Sequence, residues 1–294
     1  MHYLALASLL WAFSFGLIGR YLTGLDSQSV AFVRLLISLV IFAPFLRLRG
    51  VRWQQAVRLM LIGAVQYGVM YAVYIRAYQS LAGHEVALFT IMTPFFVTLL
   101  DGWRRGRFQF AYFAAAALGI AGVAVLFSLR RIGGGMLPGI AMIQISNLCF
   151  AGGQVEYKLM MEREPELAGG KGMPHFGLLY LGAVLVTGVF AATSGLAAFR
   201  PSSEQWVVLL YLGAIPSAVA FFLWNLGARK VNPGVLGVFN NVKIPLGVLV
   251  ALFVFGEQPN GWRLTVSILG ITAGILVAGG ATGLAGRWRG GVDQ

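Results

Sequence analysis

The chain has 294 residues, 58% of them hydrophobic and 11% charged, with a mean hydropathy of +0.78. A soluble domain carries about 25% charged residues, so these numbers exclude a water-exposed globular surface for most of the chain. The net charge of +12 would suggest nucleic acid in a soluble protein, but here basic residues flank apolar runs, where they set membrane topology, and no nucleic-acid partner is expected.

Apolar runs near 20 residues recur along the whole length, enough to cross the hydrocarbon layer as helices. They are continuously apolar, without the alternation of a barrel strand, so helices are the expected solution to backbone hydrogen bonding in lipid. The first run, over 3–19, has no basic segment before it and reads as a retained helix, not a secretory signal. Further spans are expected over 29–46, 56–79, 84–100, 109–128, 137–157, 174–195, 205–227, 233–255 and 263–283. The pattern predicts an all-α membrane protein with ten transmembrane helices. Its longest connection, Lys158 to Met173, holds Glu162, Glu164 and Glu166 and reads as a solvated loop between two bundles. The lone Cys149 excludes a disulfide framework within the chain.

Charge orients the spans. With the N-terminus in the cytoplasm, fourteen basic residues fall inside, among them Arg47, Arg49, Arg52, Arg58, Arg104 and Arg105, against five outside: Arg20, Arg130, Arg131, Arg200 and Arg263. Both termini are therefore expected in the cytoplasm.

A repeat underlies the spans. An offset of 151 residues lays the third to fifth on the eighth to tenth, matching Ala77 with Ala228, Gly83 with Gly234, Pro94 with Pro245 and Leu118-Gly119-Ile120 with Leu269-Gly270-Ile271. Five spans per half is an odd number, so the second half enters the membrane upside down. The expected units are 1–131 and 132–294, two inverted five-helix repeats of the kind found in secondary transporters, with the site near the midplane between them. Pro94 and Pro245, midway along equivalent spans, read either as static kinks or as hinges whose freed carbonyls line a cavity.

Polar residues inside the spans mark the candidate site. Phe239, Asn240 and Lys243 share a helix face within an apolar run, and a lysine at mid-bilayer faces a cavity or a partner such as Glu85. Gln144, Asn147, Gln154 and Lys158 form a stripe down the sixth span, either glue between helices or the wall of a watery passage. Tyr67, Tyr71, Tyr74 and Tyr78 form an aromatic stripe on the third; Tyr74 falls on Asn225 under the repeat, and Tyr74 and Tyr78 read as packing or as substrate contacts. His84, beside Glu85, is either a solvated helix start or a gate. Gly270 and Gly274 form a GxxxG that suits close helix packing. No HExxH, GxSxG or P-loop pattern occurs, and the only histidines are His2, His84 and His175, so no enzyme, cofactor or metal site is expected.

The ten short spans, the five-plus-five repeat, Trp11 and the patterns Pro94…Gly119 and Pro245…Glu257…Gly270 resemble the drug/metabolite transporter superfamily, EamA type. Within it the chain is similar to exporters of aromatic amino acids. The resemblance implies a bacterial inner-membrane protein, working as a monomer, that exports phenylalanine, tyrosine and tryptophan by alternating access; the alternative within the superfamily is a transporter of another small metabolite, such as a nucleotide sugar or a non-aromatic amino acid. The amides and Lys243 would hold the amino acid, with its ring among Tyr and Phe side chains and Trp11 or Trp224. Glu257 matches an acid of the family pattern whose first-half counterpart is Gly106, and no transport role is expected for it.

Overall fold

The computed structural model describes residues 1–126, 133–255 and 261–289. Arg130, Arg131, Glu257 and the expected boundary between halves at 131/132 lie outside these residues. The described residues hold ten apolar helices: α1 His2–Ala12, α2 Ser27–Phe45, α3 Trp53–Ala77, α4 Gly83–Arg105, α5 Phe110–Ala124, α6 Gly134–Arg163, α7 Met173–Ser194, α8 Ser203–Ala228, α9 Pro233–Val250 and α10 Gly261–Gly280. Eight are long and apolar enough to cross a membrane; α1 and α5 are shorter. Beyond a bend at Phe13, α1 continues through Ser14–Leu17 and Ile18–Leu22. The chain is a multi-pass membrane protein whose polarity is inverted relative to a soluble fold. Val40, Leu61, Val189, Val207 and Leu269 are exposed, whereas Gln66, Gln154, Asn225, Asn240 and Asn241 are fully buried.

Local sequence sets the helix ends. The Asp26 carboxylate accepts from the Ser29 amide at 2.8 Å and starts α2, and Asn232 does the same for the Val235 amide ahead of Pro233 in α9. Gly106 ends α4 at a φ of 67°, a left-handed conformation that favours glycine. Alpha6 runs to Arg163, past the expected end at 157, and a 3-10 stretch, Pro165–Gly172, replaces the expected solvated loop. The extra turns have a cause: Glu156, Glu162 and Glu164 are ion-paired to the first half of the chain and hold this end of α6 in place.

Besides α1, four helices are interrupted within their length, in two matching pairs. Alpha3 widens to a π-helix over Ala64–Val69, and α8 does so over Gly213–Val219 around Pro216. Alpha4 breaks after Phe89, passes through Thr90–Met92 and resumes at Thr93; α9 breaks after Phe239 and resumes at Lys243. Under the 151-residue offset each feature falls within two residues of its counterpart. Pro94 and Pro245 stand in the first turn of each resumed helix, where a missing N–H deprives no carbonyl of its partner. The mid-helix kink expected at both prolines is therefore corrected: the break precedes each proline. The two breaks touch, because Asn241 Nδ2 donates to the Ile91 carbonyl at 3.0 Å. Side chains likewise satisfy the carbonyls loosened in α8, with Trp11 Nε1 reaching Pro216 and Ser38 Oγ reaching Gly213, both at 2.9 Å.

Alpha5 and α10 pack closely through glycine. A Cβ on Gly122 would lie 2.9 Å from the Gly270 Cα, and one on Gly274 would lie 2.8 Å from the Ala115 carbonyl oxygen. The small-residue face expected of α10 is used for that contact.

Candidate functional site

A cavity opens among α1, α2, α3, α4, α6, α8 and α9. Trp11, Ser14, Arg34, Tyr71, Tyr74, Thr90, Thr93, Ser146, Asn147, Phe150, Phe221 and Lys243 line it, with Ile18 and Met70. The breaks in α4 and α9 place Thr90, Thr93 and Lys243 in its wall. The rings form a continuous surface: Trp11 lies 5.1 Å from Phe221 and 5.9 Å from Phe150 between centroids, and Phe221 lies 5.7 Å from Tyr71.

Two cations face this aromatic surface. Lys243 Nζ stands 5.6 Å from the Trp11 ring and 6.0 Å from the Phe150 ring, and it forms no ion pair among the described residues. Glu85, the partner considered for it, caps its own helix by accepting from the Ala82 amide at 2.8 Å. Arg34 is almost wholly buried, with its guanidinium 4.5 Å over the Tyr71 ring. Its Nη2 donates to Tyr71 Oη at 2.9 Å and to Ser217 Oγ at 3.1 Å, while Nε and Nη1 have no partner among the described residues. Among the described residues no carboxylate lines the cavity.

The rest of the polar interior lies one layer deeper. Gln154 Oε1 accepts from Trp224 Nε1 at 2.9 Å, and Trp224 packs 4.9 Å from Trp11. Asn225 Nδ2 donates to Tyr67 Oη at 2.8 Å, and its Oδ1 accepts from Gln66 Nε2 at 3.1 Å. This layer separates the cavity from a face rich in charge, where α3 begins and α4 and α6 end. There Arg58 meets Glu156 at 3.3 Å, Arg52 meets Glu164 at 3.4 Å, Arg105 meets Glu162 at 2.8 Å, and Arg104 also pairs with Glu156. Lys158 donates to the carbonyls of Ala228 and Val231 at 3.0 and 2.8 Å.

The structure thus divides the expected site residues. Tyr74, Asn147 and Lys243 line the cavity. Asn147 is braced there by Phe89 and Thr93, donating to the carbonyl of the first at 2.9 Å and accepting from the hydroxyl of the second at 3.2 Å. Tyr78 stands behind the wall, its hydroxyl 3.2 Å from that of Tyr74. Gln154, Asn225, Phe239 and Asn240 are buried in the deeper layer, and His84 is exposed at the start of α4, outside the cavity. In the sixth-span stripe, Gln144 donates to the Phe89 carbonyl beside the cavity, while Gln154 and Lys158 act as glue. Sequence reasoning passed over Arg34, although a lone arginine in an apolar run is the same signal that singled out Lys243.

The model of the EamA-like transporter family matches residues 1–128 and again 137–279. The chain is 37% identical to the biotin transporter of Salmonella typhimurium over 266 residues, which is 88% of this chain and 86% of that one. It is 24% identical to the aromatic amino acid exporter YddG of Ancylobacter novellus over 207 residues, 67% of this chain and 65% of that one. The expected likeness to aromatic amino acid exporters is therefore distant, and that to biotin transporters is stronger. A solved crystal structure covers 97% of the chain with a TM-score of 0.73 at 20% identity, which establishes the shared fold. With two matches of one family model spanning nearly the whole sequence, this chain belongs to the EamA-like transporter family.

Proposed function

We propose that the protein carries a small monocarboxylate with a compact, largely apolar body, biotin foremost, across the bacterial inner membrane by alternating access. The observation that carries this reading is a ring-walled cavity with two cations, Arg34 and Lys243, and no carboxylate among the described residues. Such a cavity favours an anion over a species of zero net charge, because an uncompensated cation in a low-dielectric wall attracts negative charge strongly. Biotin presents one carboxylate on an alkyl chain and a ureido ring fused to a thioether ring. Tyr74, Thr90, Thr93 and Asn147 supply hydrogen-bonding groups for the ureide, and the rings of Trp11, Phe150 and Phe221 supply apolar contact for the rest. The 37% identity to a biotin transporter supports the same substrate.

Ten crossings in two inverted halves, 1–131 and 132–294, with both termini in the cytoplasm, complete the reading. The paired helix irregularities and the two matches of one family model support the repeat. In this orientation the ion-paired face is cytoplasmic, and the cavity lies on the periplasmic side of the deeper amide layer. Alternating access then requires the breaks at Thr90–Met92 and before Lys243 to flex, with Pro94 and Pro245 beside them.

Export of aromatic amino acids is the second reading. The wall of Trp11, Phe150 and Phe221 favours it, since a phenyl or indole ring would stack there. Against it, an α-ammonium finds no carboxylate in the cavity. Purified protein in liposomes separates the two. Saturable flux of labelled biotin, inhibited by unlabelled biotin and not by phenylalanine, is the expected result. Flux of phenylalanine or tryptophan without flux of biotin overturns the proposal.

A further inference from the structure

We infer that Arg34 is the residue that reads the substrate's carboxylate and sets the preference for acid over neutral amide, an inference that rests on the monocarboxylate reading above. Both cations reach the cavity, but they are left in different conditions. Lys243 is half-buried, faces two rings and carries a compact ammonium that water can still reach. Arg34 is 1% exposed, and two of its three nitrogens, Nε and Nη1, lack a partner among the described residues. A buried polar group without a partner is rare, and its presence in a cavity wall points to something that binds there.

The guanidinium is also held in position before a ligand arrives. Tyr71 lies beneath it, and Tyr71 Oη and Ser217 Oγ, themselves 3.2 Å apart, both accept from Nη2. One nitrogen is thus used to fix the group and the other two remain for an anion. Since no carboxylate among the described residues lines the cavity, the counter-charge falls to the substrate. Nε and Nη1 lie on different edges of the guanidinium, so each can donate one charge-assisted hydrogen bond to a carboxylate oxygen. Ser217 belongs to the widened segment of α8, so the anchor touches an irregular helix of the second half directly.

The test compares biotin with biotinamide, which has the same rings and chain and no charge. In proteoliposomes the wild-type protein is expected to take up biotin with a KM roughly tenfold to a hundredfold lower than that for the amide, the range of a charge-assisted contact. Arg34→Gln should bring the two KM values together by raising that for biotin, with the amide little changed. Arg34→Lys should give an intermediate ratio, and elution as a single species with an unchanged Tm establishes that each variant is folded. Two results overturn the inference: a wild-type ratio in folded Arg34→Gln, or loss of the ratio in Lys243→Gln while Arg34→Gln keeps it. A wild-type protein that moves neither biotin nor any other monocarboxylate instead overturns the proposed function, and this inference with it.

Discussion

The cavity and the ion-paired face treat charge in opposite ways. In the cavity, Arg34 and Lys243 stand without a carboxylate among the described residues. At the other end of the same helices, Arg52 just before α3, Arg58 of α3 and Arg104 and Arg105 of α4 meet Glu156, Glu162 and Glu164 of α6 and its following turn. Cations from the first half face acids from the second, so these pairs clasp the halves together on that side. On the proposed reading, unmatched charge waits in the ligand's site and matched charge closes the opposite side. A carrier needs both: an empty site that invites an anion, and a far barrier that holds until the site is filled.

The contrast breaks most sharply if the cavity receives an acid of its own. Ser14 lines it, and its hydroxyl has no partner among the described residues, so Ser14→Asp adds a carboxylate without removing a contact. Like-charge juxtaposition with the substrate costs several kcal/mol. The expected outcome is a rise of about a hundredfold in the KM for biotin uptake, about 2.7 kcal/mol, with the protein still folded.

A smaller effect is expected at the other end. Glu156→Gln leaves Arg58 and Arg104 without their shared carboxylate. These groups are about a third exposed, so solvent screens each pair, and a loss of about 1 kcal/mol is expected for the cluster. The readout is alkylation of a cysteine placed at the buried Ala228, beside Lys158, in a Cys149→Ser background. Its rate should rise roughly fivefold as the clasp opens more often. Combining Glu156→Arg with Arg104→Glu should restore much of the protection. Alkylation that is unchanged in Glu156→Gln would mean that the ion pairs do not hold this side shut.

The smallest effect separates the two regions by salt alone. At 1 M salt the Debye length falls to about 3 Å, which weakens exposed pairs and spares buried contacts. Alkylation at position 228 should quicken by about twofold at most. The ratio of biotin to biotinamide KM, set by the buried Arg34, should stay constant.

Much of this was legible from sequence. Charge in an apolar run located Lys243, the 151-residue offset located the paired irregularities, and Gly270 with Gly274 located a close helix contact. Arg34 carried the same signal as Lys243 but lay in a span, 29–46, without an amide or a second charge to form a stripe with it. Its importance comes from Tyr71 and Ser217, which are distant in sequence. Helical spacing tells which residues share a face, not which neighbour that face meets. For this reason Gln154, Asn225 and Asn240 read as site residues, while the fold seals the first two with Trp224 and Tyr67 and ties Asn240 Nδ2 to the Leu236 carbonyl. The prolines were read as the cause of disruption, whereas each begins the turn that follows it.

The amide of Asn241, gripping the carbonyl of Ile91, yokes the joint of one broken helix to the joint of the other. On the proposed mechanism, joints tied in this way are expected to flex together, leaving no posture in which both doors gape and ions slip through. Cutting that tie with Asn241→Ala should show first as a leak of protons from otherwise tight vesicles.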